Sequence, residues 1–201
     1  VSYPPSPAPT SSDPETRPFT VLTVCTGNIC RSPAVERLLV AALGPDSGVR
    51  VESAGVGAVV GAPVAPLMAS RLDAVGVSHA GFAARQVTER MVRDADLVLP
   101  LTRRHRSALV ELAPAAVRRT FTVRELARLA TAVGPDALPP GTPAERFAAL
   151  LPLAAAQRGL HPARPEDDDV VDPWRRDERA YALSFGQIRP AVEAIAAVVR
   201  G

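Results

Sequence analysis

"VLTVCTGNICRSP", residues 21–33, joins an apolar run to a short polar loop and then to a helix-like Ser-Pro start. The run "FTVLTV" (19–24) is β-branched and suits a buried strand. Cys25 stands where that strand would end, and five residues separate it from Arg31. Ser32 fits the cap of a following helix, and Pro33 its first helical position. Gly27 provides for positive φ and for close approach of backbone to a ligand. Such a loop gathers its amides, with the unpaired N–H groups of the helix start, into a concavity that binds anions. Arg31 adds a planar fork that matches two phosphoryl oxygens at once. A thiol in that positive field favours the thiolate, its nucleophilic form. The stretch reads as a phosphate cradle with sulfur at its floor.

Outward from it, strand-like and helical runs alternate. Residues 33–43 place Val35, Leu38, Leu39 and Ala42 on one helical face, and "VRVESA" (49–54) follows as a second strand. A helix is expected over about 65–75, a strand at "ADLVLPL" (95–101), and a Thr-capped helix over 102–112. "VRRTFTV" (117–123) reads as a fourth strand, and residues 187–200 as a closing helix. This order predicts an α/β fold, a mostly parallel four-stranded sheet with helices on both faces. Ligands in such folds bind at the carboxyl ends of strands, where Cys25 stands. Residues 1–18 read as a disordered Pro-rich tail and 19–201 as one domain. An Ala/Pro-rich insertion or cap at about 132–164 carries one helix, near 143–157.

Composition narrows the class. The 201 residues are 47% hydrophobic and 22% charged, as in an ordinary globular protein. A net charge of +2, from arginines spread along a chain without lysine, argues against nucleic acid. No uninterrupted apolar run reaches the eighteen or so residues of a membrane span, and no signal-peptide centre is visible. The expectation is a cytoplasmic protein with no membrane contact. Two close cysteines make no disulfide framework, and three histidines far along the chain from them make no zinc site. No metal or cofactor is expected.

Residues 24–33, "VCTGNICRSP", resemble the active-site loop of the low-molecular-weight protein tyrosine phosphatases of bacterial type. "VVDPW" (170–174) resembles that family's Asp-Pro pair, while "VESAG" (51–55), "DADLVLPLT" (94–102) and the closing helix resemble further landmarks in the same order. The likeness covers about 19–200, apart from the Ala/Pro-rich stretch. It implies a protein phosphotyrosine hydrolase that works through a cysteinyl-phosphate on Cys25. Arg31 and the amides of Thr26, Gly27, Asn28, Ile29, Cys30 and Arg31 would hold the phosphoryl oxygens, and Asp172 would be the general acid. By the same likeness Ser32 would donate a hydrogen bond to the sulfur. Asn28 would take a left-handed conformation and tie the loop to its surroundings, with Ser53 as partner. A tyrosine autokinase is the implied partner.

Some readings stay open. Glu166, Asp167, Asp168 and Asp169 precede Asp172, and such a run is usually a solvated face; the flanking Pro173 and Val170-Val171 single out Asp172. Trp174 either lines the cleft or packs against the inserted segment. Cys30 is either a partner for a reversible disulfide with Cys25 or a small apolar loop residue. His79 is left unassigned, and His105 and His161 are expected to be exposed. A thioredoxin-coupled arsenate reductase would need cysteines after Cys30, and none follow. A phosphoarginine phosphatase tends to carry Thr where this chain has Ile29. A phosphate-binding regulatory module without turnover is the rival outside enzymology.

Overall fold

Three parallel strands, in the order β2-β1-β3, carry the computed structural model, which describes residues 17–201. The central strand is β1 (Phe19–Cys25), flanked by β2 (Val49–Gly55) and β3 (Leu97–Pro100). In register, Cys25 lies beside Gly55 and Val24 beside Pro100. Both faces of β1 are covered, which is why its sequence is apolar without alternation. Val21 faces the larger core, built with α1 (Arg31–Leu43), α2 (Pro66–Asp73), α5 (Val123–Val133), α6 (Pro143–Gln157) and α7 (Glu178–Arg200). Leu22 and Val24 face a smaller one with α3 (Glu89–Asp94) and α4 (Arg103–Leu112).

The expected fourth strand at 117–123 does not form. Pro114–Arg119 winds into a 3-10 turn, and Thr122 opens α5 through a capping box with Glu125. Only Thr120 and Phe121 remain extended between them: Thr120 makes one parallel bridge to Val98, and Phe121 N–H donates to the Val98 carbonyl. Local capping wins over β-propensity here.

Helix boundaries also differ. α1 starts at Arg31, so Ser32 lies inside its first turn; the cap position is Cys30, whose side chain makes no capping bond. α7 starts at Glu178, capped by Asp177, well before the expected 187. By length and composition α7 is apolar enough to cross a membrane, although charged residues and Pro190 interrupt its apolar run. Its Tyr181, Phe185, Ile188, Val192, Ile195 and Val199 are nevertheless buried, and it packs against α1 and α5.

Of the stretch 1–18 expected to be a disordered Pro-rich tail, residues 1–16 lie outside the described residues. Arg17 forks onto Asp96 at 2.6 and 2.9 Å. Within 132–164, α6 buries Phe147, Leu150 and Ala154 in the larger core. Phe147 stacks on Phe19 with ring centroids 5.5 Å apart, at the end of β1 opposite Cys25. Strand rise separates those two ends by about 20 Å.

Candidate active site

β1 delivers Cys25 to the carboxyl edge of the sheet, and the chain turns at once into loop 26–30. Gly55 lets this loop fold across β2: a Cβ there would meet Thr26 O at 2.3 Å and Asn28 N at 3.0 Å. The left-handed backbone falls on Asn28 (φ 54°) and not on Gly27, whose φ is not positive, so the role expected of Gly27 is corrected. Asn tolerates that conformation better than most residues because its side chain bonds locally. Fully buried, Asn28 donates from Nδ2 to Ser32 Oγ and Ser53 Oγ, both at 2.9 Å, while its Oδ1 accepts the Arg85 N–H at 2.8 Å. These bonds join the loop to α1, β2 and the 85–86 segment.

Ser32 Oγ lies 3.0 Å from Cys25 Sγ. It accepts from Asn28 and, with a second lone pair free, either accepts the thiol proton while donating to the Ala54 carbonyl at 3.4 Å or donates to the sulfur. This hydroxyl lies against the thiol and does not cap the helix, unlike the cap expected of it. Cys30 is buried, with Sγ 3.6 Å from Tyr181 Oη, and burial pushes its thiol up to about 11. The Tyr181 phenol is raised as well, chiefly by desolvation. Both cysteines are free thiols.

Arg31 is 4% exposed. Its Nη1 donates to the Val170 carbonyl at 3.3 Å, its Nη2 lies 2.7 Å from Asp172 Oδ2, and its Nε has no partner. A buried donor without an acceptor is costly, and an anion beside Arg31 would satisfy it. Asp172 sits at the rim, its side chain 52% exposed, and Oδ1 accepts the Trp174 N–H at 3.1 Å. Its segment is fixed by Val170 N–H on Leu101 O and Val171 N–H on Gln187 Oε1, both at 2.9 Å. The preceding carboxylates are taken up by arginines: Asp167 by Arg164, Asp168 by Arg128, Asp169 by Arg103. A cleft of about 130 Å³ is lined by Cys25, Arg31 and Asp172, with Ile29, Val59 and Trp174 as apolar walls. Trp174 is 47% exposed at its lip and carries Arg175 over its ring at 5.9 Å.

His105, expected to be exposed, is buried. Its Nε2 is 2.9 Å from Thr26 Oγ1 and its Nδ1 3.0 Å from Thr102 Oγ1; Thr102 also caps α4 by accepting the His105 N–H. Burial first, and the Arg31 charge second, lower its pKa to about 4, so the ring is neutral at physiological pH. The one sequence signal for it was its place three residues after the capping Thr102. His79 pairs with Asp73 at the surface, 3.3 Å away, and His161 is exposed. Among the described residues no group of three or more His, Cys, Asp or Glu is gathered as a metal site.

The arrangement offers a sulfur nucleophile, a buried cationic fork and a carboxylate at the rim of one cleft. The family model for low molecular weight phosphotyrosine protein phosphatases matches residues 20–136, a span that ends before Asp172. The low molecular weight protein-tyrosine-phosphatase Wzb of Escherichia coli K12 is 45% identical over 94 residues, 47% of this chain and 62% of Wzb. Etp, a second low molecular weight protein-tyrosine-phosphatase of that strain, is 42% identical over 101 residues, 50% of this chain and 66% of Etp. The chain thus spans just under two thirds of these relatives' lengths. The YwlE arginine phosphatase of Geobacillus stearothermophilus shares the fold, with a TM-score of 0.65 at 24% identity over 89% of this chain and 91% of that one.

Proposed function

The chain belongs to the low molecular weight phosphotyrosine protein phosphatase family, and on that premise we propose that it dephosphorylates phosphotyrosine in proteins. The observation that carries the reading is Arg31, a buried guanidinium that lines the cleft floored by Cys25 and whose Nε has no partner.

In the first step Cys25 Sγ attacks phosphorus. The S–P bond forms as the P–O bond to the phenol breaks, and the electron pair leaves on the phenolate oxygen, which takes a proton from Asp172. The amides of residues 26–31 and the Arg31 fork hold the three equatorial oxygens as charge moves through them. In the second step Asp172 takes a proton from water, whose oxygen attacks phosphorus. The S–P bond breaks and its electron pair returns to sulfur, where the Ser32 hydroxyl stabilises the thiolate. The balance is phosphomonoester plus water to phenol plus phosphate.

Ile29, Val59 and Trp174 suit a flat phenyl ring between apolar walls. Residues 19–201 act as one catalytic unit, with 132–164 as an inserted segment. Two free thiols fit a reducing compartment, and we assign the protein to the cytoplasm. Its substrate is a tyrosine-phosphorylated protein, and an autophosphorylating tyrosine kinase is the first candidate to assay.

The test is hydrolysis of p-nitrophenyl phosphate in the presence of EDTA by wild type and Cys25→Ser, followed by phosphotyrosine and phosphoarginine peptides. Turnover by wild type alone, with phosphotyrosine preferred, supports the reading. Vanadate binding without turnover would instead make the cleft a phosphate sensor, and a preference for phosphoarginine would move the substrate class.

A further inference from the structure

A second, wider cleft of about 550 Å³ adjoins the first across a shared wall of Thr26, Arg31 and Asp172. Its far side is the first turn of α4, with Thr102, Arg104 and His105, and its edge is Asp169. Trp174 and Val59 line the first cleft and not this one, so the two sides of the phosphate position differ in character.

With Arg103 counted beside Asp169 from outside the lining, the charges around this cleft cancel except for one. Asp172 is held by Arg31. Asp169 accepts the Arg103 N–H at 2.7 Å and pairs with its guanidinium at 3.2 Å. His105 is neutral, and the Thr26 and Thr102 hydroxyls both face its ring. Arg104 is exposed and has no carboxylate partner among the described residues. The second cleft therefore presents one uncompensated positive charge beside the phosphate position.

We propose that this cleft is a specificity subsite that receives an acidic side chain of the protein substrate next to the phosphorylated residue, with Arg104 as its ionic partner. The proposal rests on the reading that the Cys25 cleft takes the phosphoryl group. An extended peptide advances about 3.5 Å per residue, so a side chain one or two positions from the phosphotyrosine falls within reach of the adjoining cleft. An exposed arginine–carboxylate pair is modest and screened by salt. The selectivity is therefore about two- to fivefold at low ionic strength.

Two phosphotyrosine peptides that differ only by Glu or Gln beside the phosphotyrosine provide the test, with p-nitrophenyl phosphate as the reference substrate. Wild type is expected to favour the Glu peptide through KM, the preference fading at high salt. Arg104→Gln should abolish the preference and Arg104→Glu reverse it. A preference that survives Arg104→Gln, or its absence in wild type, overturns the subsite while the phosphatase reading stands. Failure of wild type to turn over any of the three substrates removes that reading, and the subsite with it.

Discussion

His105 Nε2 stands 2.9 Å from Thr26 Oγ1, so a neutral ring at the start of α4 holds the residue that follows Cys25. Its pKa of about 4 lies below the ordinary 6.5, and the unfolded chain binds a proton that the folded one refuses. The stabilisation is complete above about pH 6.5 and is lost as pH falls from there towards 4. The slope is about 1.4 kcal/mol per pH unit at its steepest. Denaturant unfolding at pH 7.5, 6.5 and 5.5 should show this loss in wild type and a flatter dependence in His105→Gln. His105→Phe, without either ring bond, should raise the KM for p-nitrophenyl phosphate by about five- to tenfold, with partial recovery in His105→Gln. Equal pH slopes in wild type and His105→Gln would remove the histidine from the account.

Asp172 and Arg31 meet at 2.7 Å at the cleft rim, so the carboxylate would compete with a bound phosphate for the guanidinium. Asp172→Asn should lower kcat for phenyl phosphate by about 10²–10⁴. The loss should be smaller for p-nitrophenyl phosphate, whose leaving group requires less protonation, and KM should not rise. A leaving-group series checks this; the same loss across the series would mean that Asp172 does not protonate the phenolate.

Asn28 is fully buried at positive φ and satisfies two hydroxyls and one backbone amide. Asn28→Ala strands those partners and adds left-handed strain, together about 3–5 kcal/mol. In a domain of this size that lowers Tm by roughly 10 °C. Asn28→Gly keeps the backbone and loses the bonds. Calorimetry on both separates the causes: a near-wild-type Tm for Asn28→Gly would assign the effect to backbone strain.

Much of this was legible in the chain itself. β1, β2, β3 and α4 lie close to where β-branching and the Thr102 cap put them. Cys25 and Arg31, near the start of the domain, and Asp172 and Trp174, near its end, line one cleft. What escaped depends on contacts or on competing local chemistry. The fourth strand failed because Thr122 and Glu125 cap a helix in the middle of a β-prone run. Ser32 does not cap α1 because the helix starts one residue before it, at Arg31, and its hydroxyl lies between Asn28 and Cys25. The burial of His105 depends on Thr26, 79 positions away, and no local pattern announces it.

Cys30 is buried beside Tyr181 with its thiol raised to about 11, so it stays protonated at neutral pH. Alkylation by iodoacetamide at pH 7.5, mapped by mass spectrometry, should label Cys25 and spare Cys30. Inorganic phosphate should protect Cys25. Cys30→Ser should retain turnover within a few-fold; labelling of Cys30 in the native protein would contradict its raised pKa.

The stacking of Phe147 on Phe19 sets a limit on how far the molecule can be pared down. A designer looking for a minimal catalyst would start with the Ala/Pro-rich stretch, because it lies at the far end of β1 from the sulfur. Yet α6 buries Phe147 and Leu150 in the same core as β1. Truncating one such buried aromatic alone costs about 3–5 kcal/mol. Excising the helix would strip the aromatic cover from the entry end of the thiol-bearing strand, like a roof lifted off one end of a beam.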